Sequence, residues 1–129
     1  MVSISDVVVP VGIAQPAAAA VLAAADIDTA VAAAVLEWQR RRDVIIEELH
    51  SLPLRPAAGG WSMLLDVGAL GHSGEQAAIL LLEHGRIAAT PMLNWGIKNG
   101  EQFIRFVFSN EPVARLRGIG ERVWLALRP

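Results

Sequence analysis

The 129-residue chain has no cysteine, no tyrosine and one lysine, Lys98. The lack of cysteine excludes a disulfide framework, a thiolate nucleophile and a zinc–thiolate centre. Charge is sparse too, at 19% of residues with a net charge of -2. With a sequence pI of about 5.9 the chain carries no electrostatic footprint for nucleic acid. What it has in excess is apolar residues, 53% before the 11 glycines are counted. An average domain holds roughly 45–50% with glycine included. Such a composition excludes disorder. It also exceeds the needs of one small core, so part of the apolar surface is expected to face a partner.

The longest uncharged run, Val7 to Ala25, is interrupted by Pro10, Gly12, Gln15 and Pro16, and no basic residue precedes it. Both features argue against a secretory signal and a membrane span. The run reads as an extended lead-in and a buried, alanine-rich helix from about Pro16 to Ala25, with Pro16 at a first helical position. The expected setting is soluble and cytoplasmic.

Asp26 and Asp28 are candidate N-caps for a long helix from about Thr29 to His50. Val31, Val35, Trp38, Ile45, Leu49 and Leu52 recur at alternating four- and three-residue steps, with Arg42 in the one polar slot. The stripe fits a single helix spanning two packing partners. Arg40, Arg41 and Arg42 read as a solvated helix face, as do the carboxylates Glu47 and Glu48.

After Pro53 and Pro56 the pattern changes. Gly59-Gly60 turns into a buried strand, Trp61–Val67 (WSMLLDV). Ser73 with Gln76 makes a capping box, and Gly85 ends the helix that follows. Arg86–Thr90 (RIAAT) reads as a second strand stopped by Pro91, and Phe103–Phe108 (FIRFVF) as a third. Asn110 is expected to cap a last helix carrying Val113, Leu116, Val123 and Leu127 inward, weakened at Gly118 and Gly120. The predicted class is α+β, a small sheet of about three strands with covering helices, preceded by the long helix.

Among chemical motifs, most fail. His50, His72 and His84 are scattered, and neither an HExxH nor a GxSxG is present. Gly68, Gly71 and Gly74 follow a strand and open a helix, where a phosphate can be cradled. Their GxxGxxG spacing fits a loose strand-to-helix connection better than a dinucleotide fingerprint. Arg105 is the sharpest residue. It shares a strand face with Phe103 and Val107, while Ile104, Phe106 and Phe108 share the other. A guanidinium in that company either grips a carboxylate or phosphate, or is an edge-strand arginine paired internally or exposed.

From Val11 onward the chain resembles the C-terminal part of class I/II aminotransferases, pyridoxal-phosphate enzymes of the aspartate aminotransferase fold. VGIAQPAAAAVLAA resembles the helix closing the large domain, and the stretch to WQRRRDVIIEELHSLP the helix joining the domains. GGWSMLLDVGALG resembles the strand often written GGFYLFVDL. HGRIAATPMLNWG is similar to the segment before the active-site loop, and FIRFVFSNEP to the strand bearing the substrate-carboxylate arginine. Three positions depart from the pattern: Met92 follows Pro91 where glycine is usual, Ser62 replaces an aromatic, and Trp95 stands where phenylalanine is common.

The resemblance implies that Arg105 binds the substrate's α-carboxylate, with Gly60, Trp61 and Asn94 on the active-site rim. It implies that residues 1–26 are a large-domain remnant, 27–52 the linking helix and 53–129 the substrate-binding small domain. Family members place pyridoxal phosphate on a lysine of the large domain. That region precedes the matched part, and Lys98 lies outside it in a small-domain loop. The implied function is thus the substrate-binding domain of a transaminase, inactive alone, with no catalytic residue, metal or cofactor of its own. Its implied partners are an amino or 2-oxo acid carboxylate and either the missing large domain or a second copy. A stand-alone, non-catalytic oligomerisation or interaction module is the alternative, and a nucleotide binder at residues 68–74 a third reading.

Overall fold

The computed structural model describes residues 12, 14–96 and 98–128. The chain divides into two compact units, residues 1–36 and 37–129. Helix α1 is Ala14–Leu22, and α2, Ile27–Glu48, crosses the division. The second unit adds β1 Leu54–Arg55, β2 Ser62–Asp66, α3 Gly74–Gly85, β3 Thr90–Pro91, β4 Phe103–Val107, α4 Val113–Leu116 and α5 Ile119–Leu127. One-turn 3₁₀ helices at Gly68–Leu70 and Gly100–Gln102 complete it. The α+β class is as the sequence predicts.

In the first unit α1 buries none of its residues, contrary to the expectation of a buried helix. It starts two residues before Pro16 and ends three before Ala25. Pro16 is tolerated there because the first-turn N–H groups have no intrahelical partner. Asp26 immediately precedes α2, and its carbonyl accepts from the Ala30 N–H at 3.0 Å.

The stripe predicted along α2 changes character on the way. Val31, Val35 and Trp38 are exposed, whereas Ile45, Leu49 and Leu52 are buried with Val44. The arginines are not uniformly solvated either. Arg40 is, but Arg41 bonds Glu37 at 2.8 Å and also donates to the Ser109 carbonyl just beyond β4. Arg42 is half-buried, 3.6 Å from Asp43. Glu47 is exposed and pairs with Arg117 at 2.7 Å, while Glu48 is largely covered and accepts from the Gly120 N–H.

The sheet has four strands in the order β1-β2-β4-β3, all pairs antiparallel. Strand β1 escaped the sequence reading because it is two residues long and sits between Pro53 and Pro56. The second predicted strand shrinks to Thr90–Pro91. Residues 86–89 are used otherwise, for Arg86 takes a left-handed conformation (φ 53°) and the Ile87 N–H closes α3 onto the Leu81 carbonyl. Pro91 does not stop the strand but belongs to it, which an edge position permits.

Register fixes two faces. Leu54, Leu65, Ile104 and Pro91 form one row across the sheet, and Arg55, Leu64, Arg105 and Thr90 the row on the opposite face. The first face carries the core. Leu65 and Ile104, with Met63 and Phe106, cluster with Ala77 and Leu81 of α3, Val123, Ala126 and Leu127 of α5, and Ile45 and Leu49.

The capping box forms as expected, Ser73 Oγ accepting from the Gln76 N–H at 3.2 Å and Gln76 Oε1 from the Ser73 N–H at 3.1 Å. The last helix does not. Pro112, not Asn110, precedes α4, and the chain breaks again at Arg117 (ψ 137°) and Gly118 (φ 76°) before α5 begins. Pro112 disfavours helical backbone at Glu111 before it, which displaces the start.

Candidate functional site

Strand β4 alternates half-buried and buried residues, placing Phe103, Arg105 and Val107 on the face away from the core. Arg105 stands in register between Leu64 of β2 and Thr90 of β3. Its acidic neighbour on β2, Asp66, is engaged elsewhere: Oδ2 lies 3.7 Å from Arg55 and Oδ1 accepts from the Ala69 N–H. Arg105 enters none of the ion pairs among the described residues. Its Nε is buried without a hydrogen-bond partner.

Aromatic rings accompany it instead. The Arg105 Cζ lies over the indole of Trp61, 5.1 Å from the ring centroid, and over that of Trp95 at 4.7 Å. Such contacts favour the cation without neutralising it, so its N–H groups keep their appetite for an anion. Local backbone holds both rings. Gly60, at φ 82°, turns the chain into Trp61, whose carbonyl accepts from the Phe108 N–H at 3.1 Å. Trp95 donates its N–H to the Met92 carbonyl at 3.0 Å across a turn in which Asn94 has φ 66°. An Asn at that turn position tolerates positive φ. At Gly100 a Cβ would lie 2.5 Å from the same Met92 carbonyl, so the loop closes on itself.

Of the rim residues named from the sequence, Trp61 therefore touches Arg105, whereas Gly60 and Asn94 shape the backbone that delivers the two indoles. Trp95 is the residue that sequence reasoning missed. It had registered only as a replacement for phenylalanine, though an aromatic in the loop feeding an arginine-bearing strand is itself a signal.

Arg105 and Trp61 line an open groove of about 960 Å³. Arg86, Thr90, Glu111, Arg115, Glu121 and Arg122 are also on its wall. Arg115 pairs with Glu111 at 3.3 Å. Arg117, also on the wall, has its pKa raised by the hydrogen bond it donates to Glu47 and then by that residue's charge. The groove is cationic and partly apolar, suited to an organic carboxylate.

The glycines at 68, 71 and 74 serve packing. A Cβ on Gly74 would sit 2.6 Å from the Phe103 carbonyl, one on Gly68 2.9 Å from Gln102 Cβ, and Gly71 has φ 85°. In the first turn of α3 the Gln76 N–H is taken by Ser73 Oγ. Among the described residues no three His, Asp or Glu side chains are grouped to hold a metal ion, and no single helix is long and apolar enough to cross a membrane. His72 Nε2 lies 2.9 Å from the Leu127 carbonyl.

No family profile and no curated protein matches the chain. Solved structures do, and the architecture they share is that of part of an aminotransferase. The aromatic aminotransferase of Pyrococcus horikoshii OT3 is similar with a TM-score of 0.73 and 23% identity, over 83% of this chain and 28% of its own. A structure described as Pyrococcus protein-A1 gives 0.74 at 25% identity over the same shares. The aspartate aminotransferase of Thermus thermophilus, solved with maleate, gives 0.59 at 25% identity over 70% of this chain and 23% of its own. The chain thus spans little more than a quarter of the first two of these chains.

Pyridoxal phosphate, which that fold implies, asks for a Schiff-base lysine and an acid on its ring nitrogen. The groove is lined by two acids, Glu111 and Glu121, but by no lysine to carry the cofactor. Lys98 is an exposed residue of the loop between β3 and β4. The residues present do not fit the cofactor.

Proposed function

We propose that this chain is the substrate-carboxylate-binding, C-terminal part of an aminotransferase, Arg105 being the group that binds the carboxylate of an amino or 2-oxo acid. The observation that carries the reading is the state of Arg105, a guanidinium at a groove with two indoles against it and, among the described residues, no acid in its ion-pair range. A buried ion pair would have had to be broken before substrate could bind; here there is none to break. Planar donors in a fixed fork match a carboxylate bidentately. The maleate bound by the Thermus enzyme is a carboxylate of the right chemistry for a probe.

Catalysis requires more than this grip. Holding substrate and transition state equally lowers KM and leaves kcat alone. In this reading the chain orients substrate while residues of a cofactor-bearing large domain perform the transamination, so the isolated chain is inactive. The large domain, or a second copy, would cover the exposed apolar residues.

Two measurements test it. Titration of the chain with maleate, followed on the Arg105 side-chain resonance by NMR, should give saturable binding with Kd on the order of millimolar, lost in Arg105→Met. Absence of saturation would remove the reading. Borohydride reduction with pyridoxal phosphate should leave, by mass spectrometry, no adduct beyond slow labelling of Lys98 and the amino terminus. A stoichiometric adduct at Lys98, displaced by one amino acid, would overturn the expected inactivity.

A further inference from the structure

We propose that Trp61 and Trp95 make the Arg105 site selective for carboxylates bearing an aromatic group two or three bonds away. The inference rests on the carboxylate-binding reading above and adds the substrate class to it. In a chain with 5% aromatic residues, two of the four tryptophans converge on one arginine. Neither is there to fill the core, for Trp61 is 46% exposed and Trp95 58%. The main chain of both is nevertheless held by the backbone bonds and positive-φ residues described above.

An exposed indole beside a cation is a surface for a second ring. With Arg105 against part of each indole, the remaining aromatic area lies within a few bond lengths of where a carboxylate must dock. A flat substituent following that carboxylate covers the open indole surface, gaining offset or edge-on ring contacts that an aliphatic chain lacks. A short aliphatic acid engages Arg105 and leaves the indoles wet. Leu64, the cross-strand neighbour of Arg105, adds an apolar floor on the same sheet face.

The test compares four probes on the intact chain: propanoate, 3-cyclohexylpropanoate, 3-phenylpropanoate and the neutral 3-phenylpropan-1-ol. Binding is read from the Arg105 side-chain and indole N–H resonances. Phenylpropanoate should bind about tenfold more tightly than propanoate, and several-fold more tightly than the cyclohexyl acid. Trp61→Leu and Trp95→Leu should each shrink that preference, the Phe variants should restore most of it, and Arg105→Met should abolish binding of all three acids.

Equal affinities for phenylpropanoate and propanoate, both lost in Arg105→Met, would overturn the selectivity and leave the carboxylate site standing. Cyclohexyl and phenyl acids binding alike would overturn the aromatic class. So would the alcohol binding as tightly as the acid, because the ring would then be held without the arginine. No binding of any acid would overturn both readings together.

Discussion

An arginine on a sheet face normally resolves its charge locally, and Arg55 does so through Asp66 in the same sheet. Arg105, two strands further along the same cross-strand row, does not. Both stand opposite Leu64, but Asp66 is taken by Arg55 and the Ala69 N–H, and the other neighbour of Arg105, Thr90, carries no charge. Charge alone is then not the property that matters. Arg105→Lys keeps the cation and loses the planar fork, and lysine's ammonium is a point charge on a flexible stem. We expect maleate affinity to fall about tenfold in that variant while thermal stability stays within about 0.5 kcal/mol. Undiminished affinity would mean that the fork is not used. The strand face of Arg105 was legible from alternation in FIRFVF, since period-two patterning sorts residues to opposite faces. Its company was not. Trp61 and Trp95 are separated from it by 44 and 10 residues in sequence, and only the turn residues Gly60 and Asn94 bring the indoles over it.

Elements with their own local signals came out of the sequence nearly intact. Helix α3 is the clearest case, because Ser73, Gln76 and the end of the apolar pattern near Gly85 mark it without help from tertiary contacts. Replacing Ser73 by Ala removes one half of the box and should cost about 1 kcal/mol, seen as a lower urea midpoint with an unchanged slope. No loss would mean that water satisfies the Gln76 N–H equally well. Where elements depend on distant partners the sequence misled. The left-handed cap after α3 is Arg86, while Gly85 is the helix's last residue and is buried beside Ala126 of α5. Strand β1 exists because β2 offers it an edge, and no two-residue stretch between prolines announces itself as a strand.

At the scale of the whole molecule the apolar surplus has a location. Val21, Leu22, Val31, Val35, Leu36 and Trp38 are exposed along α1 and α2, and Ile79, Leu82, Trp124 and Leu125 on α3 and α5. Scattered apolar residues are ordinary on a protein surface, but runs of this kind along successive helices mark interaction surfaces. We expect the isolated chain to self-associate in a concentration-dependent manner and to bind a hydrophobic dye. Light scattering that gives a strict monomer, with no dye signal, would contradict this. Composition made the surplus visible from the start. It left open which side chains carry it, because α2 keeps one periodic stripe while changing from exposed to buried partway along.

Gly120 carries a consequence for how this sequence is free to vary. At the start of α5 its missing side chain lets the helix meet the backbone carbonyl of Glu48 at the end of α2, so that any Cβ would collide with it. Because the obstacle is main chain, no change of side chain at position 48 makes room. Compensation is available to most core positions, where a smaller neighbour can accept a larger residue. Here it is closed, and lineages descending from this sequence should hold glycine at 120 whatever happens to the residues around it.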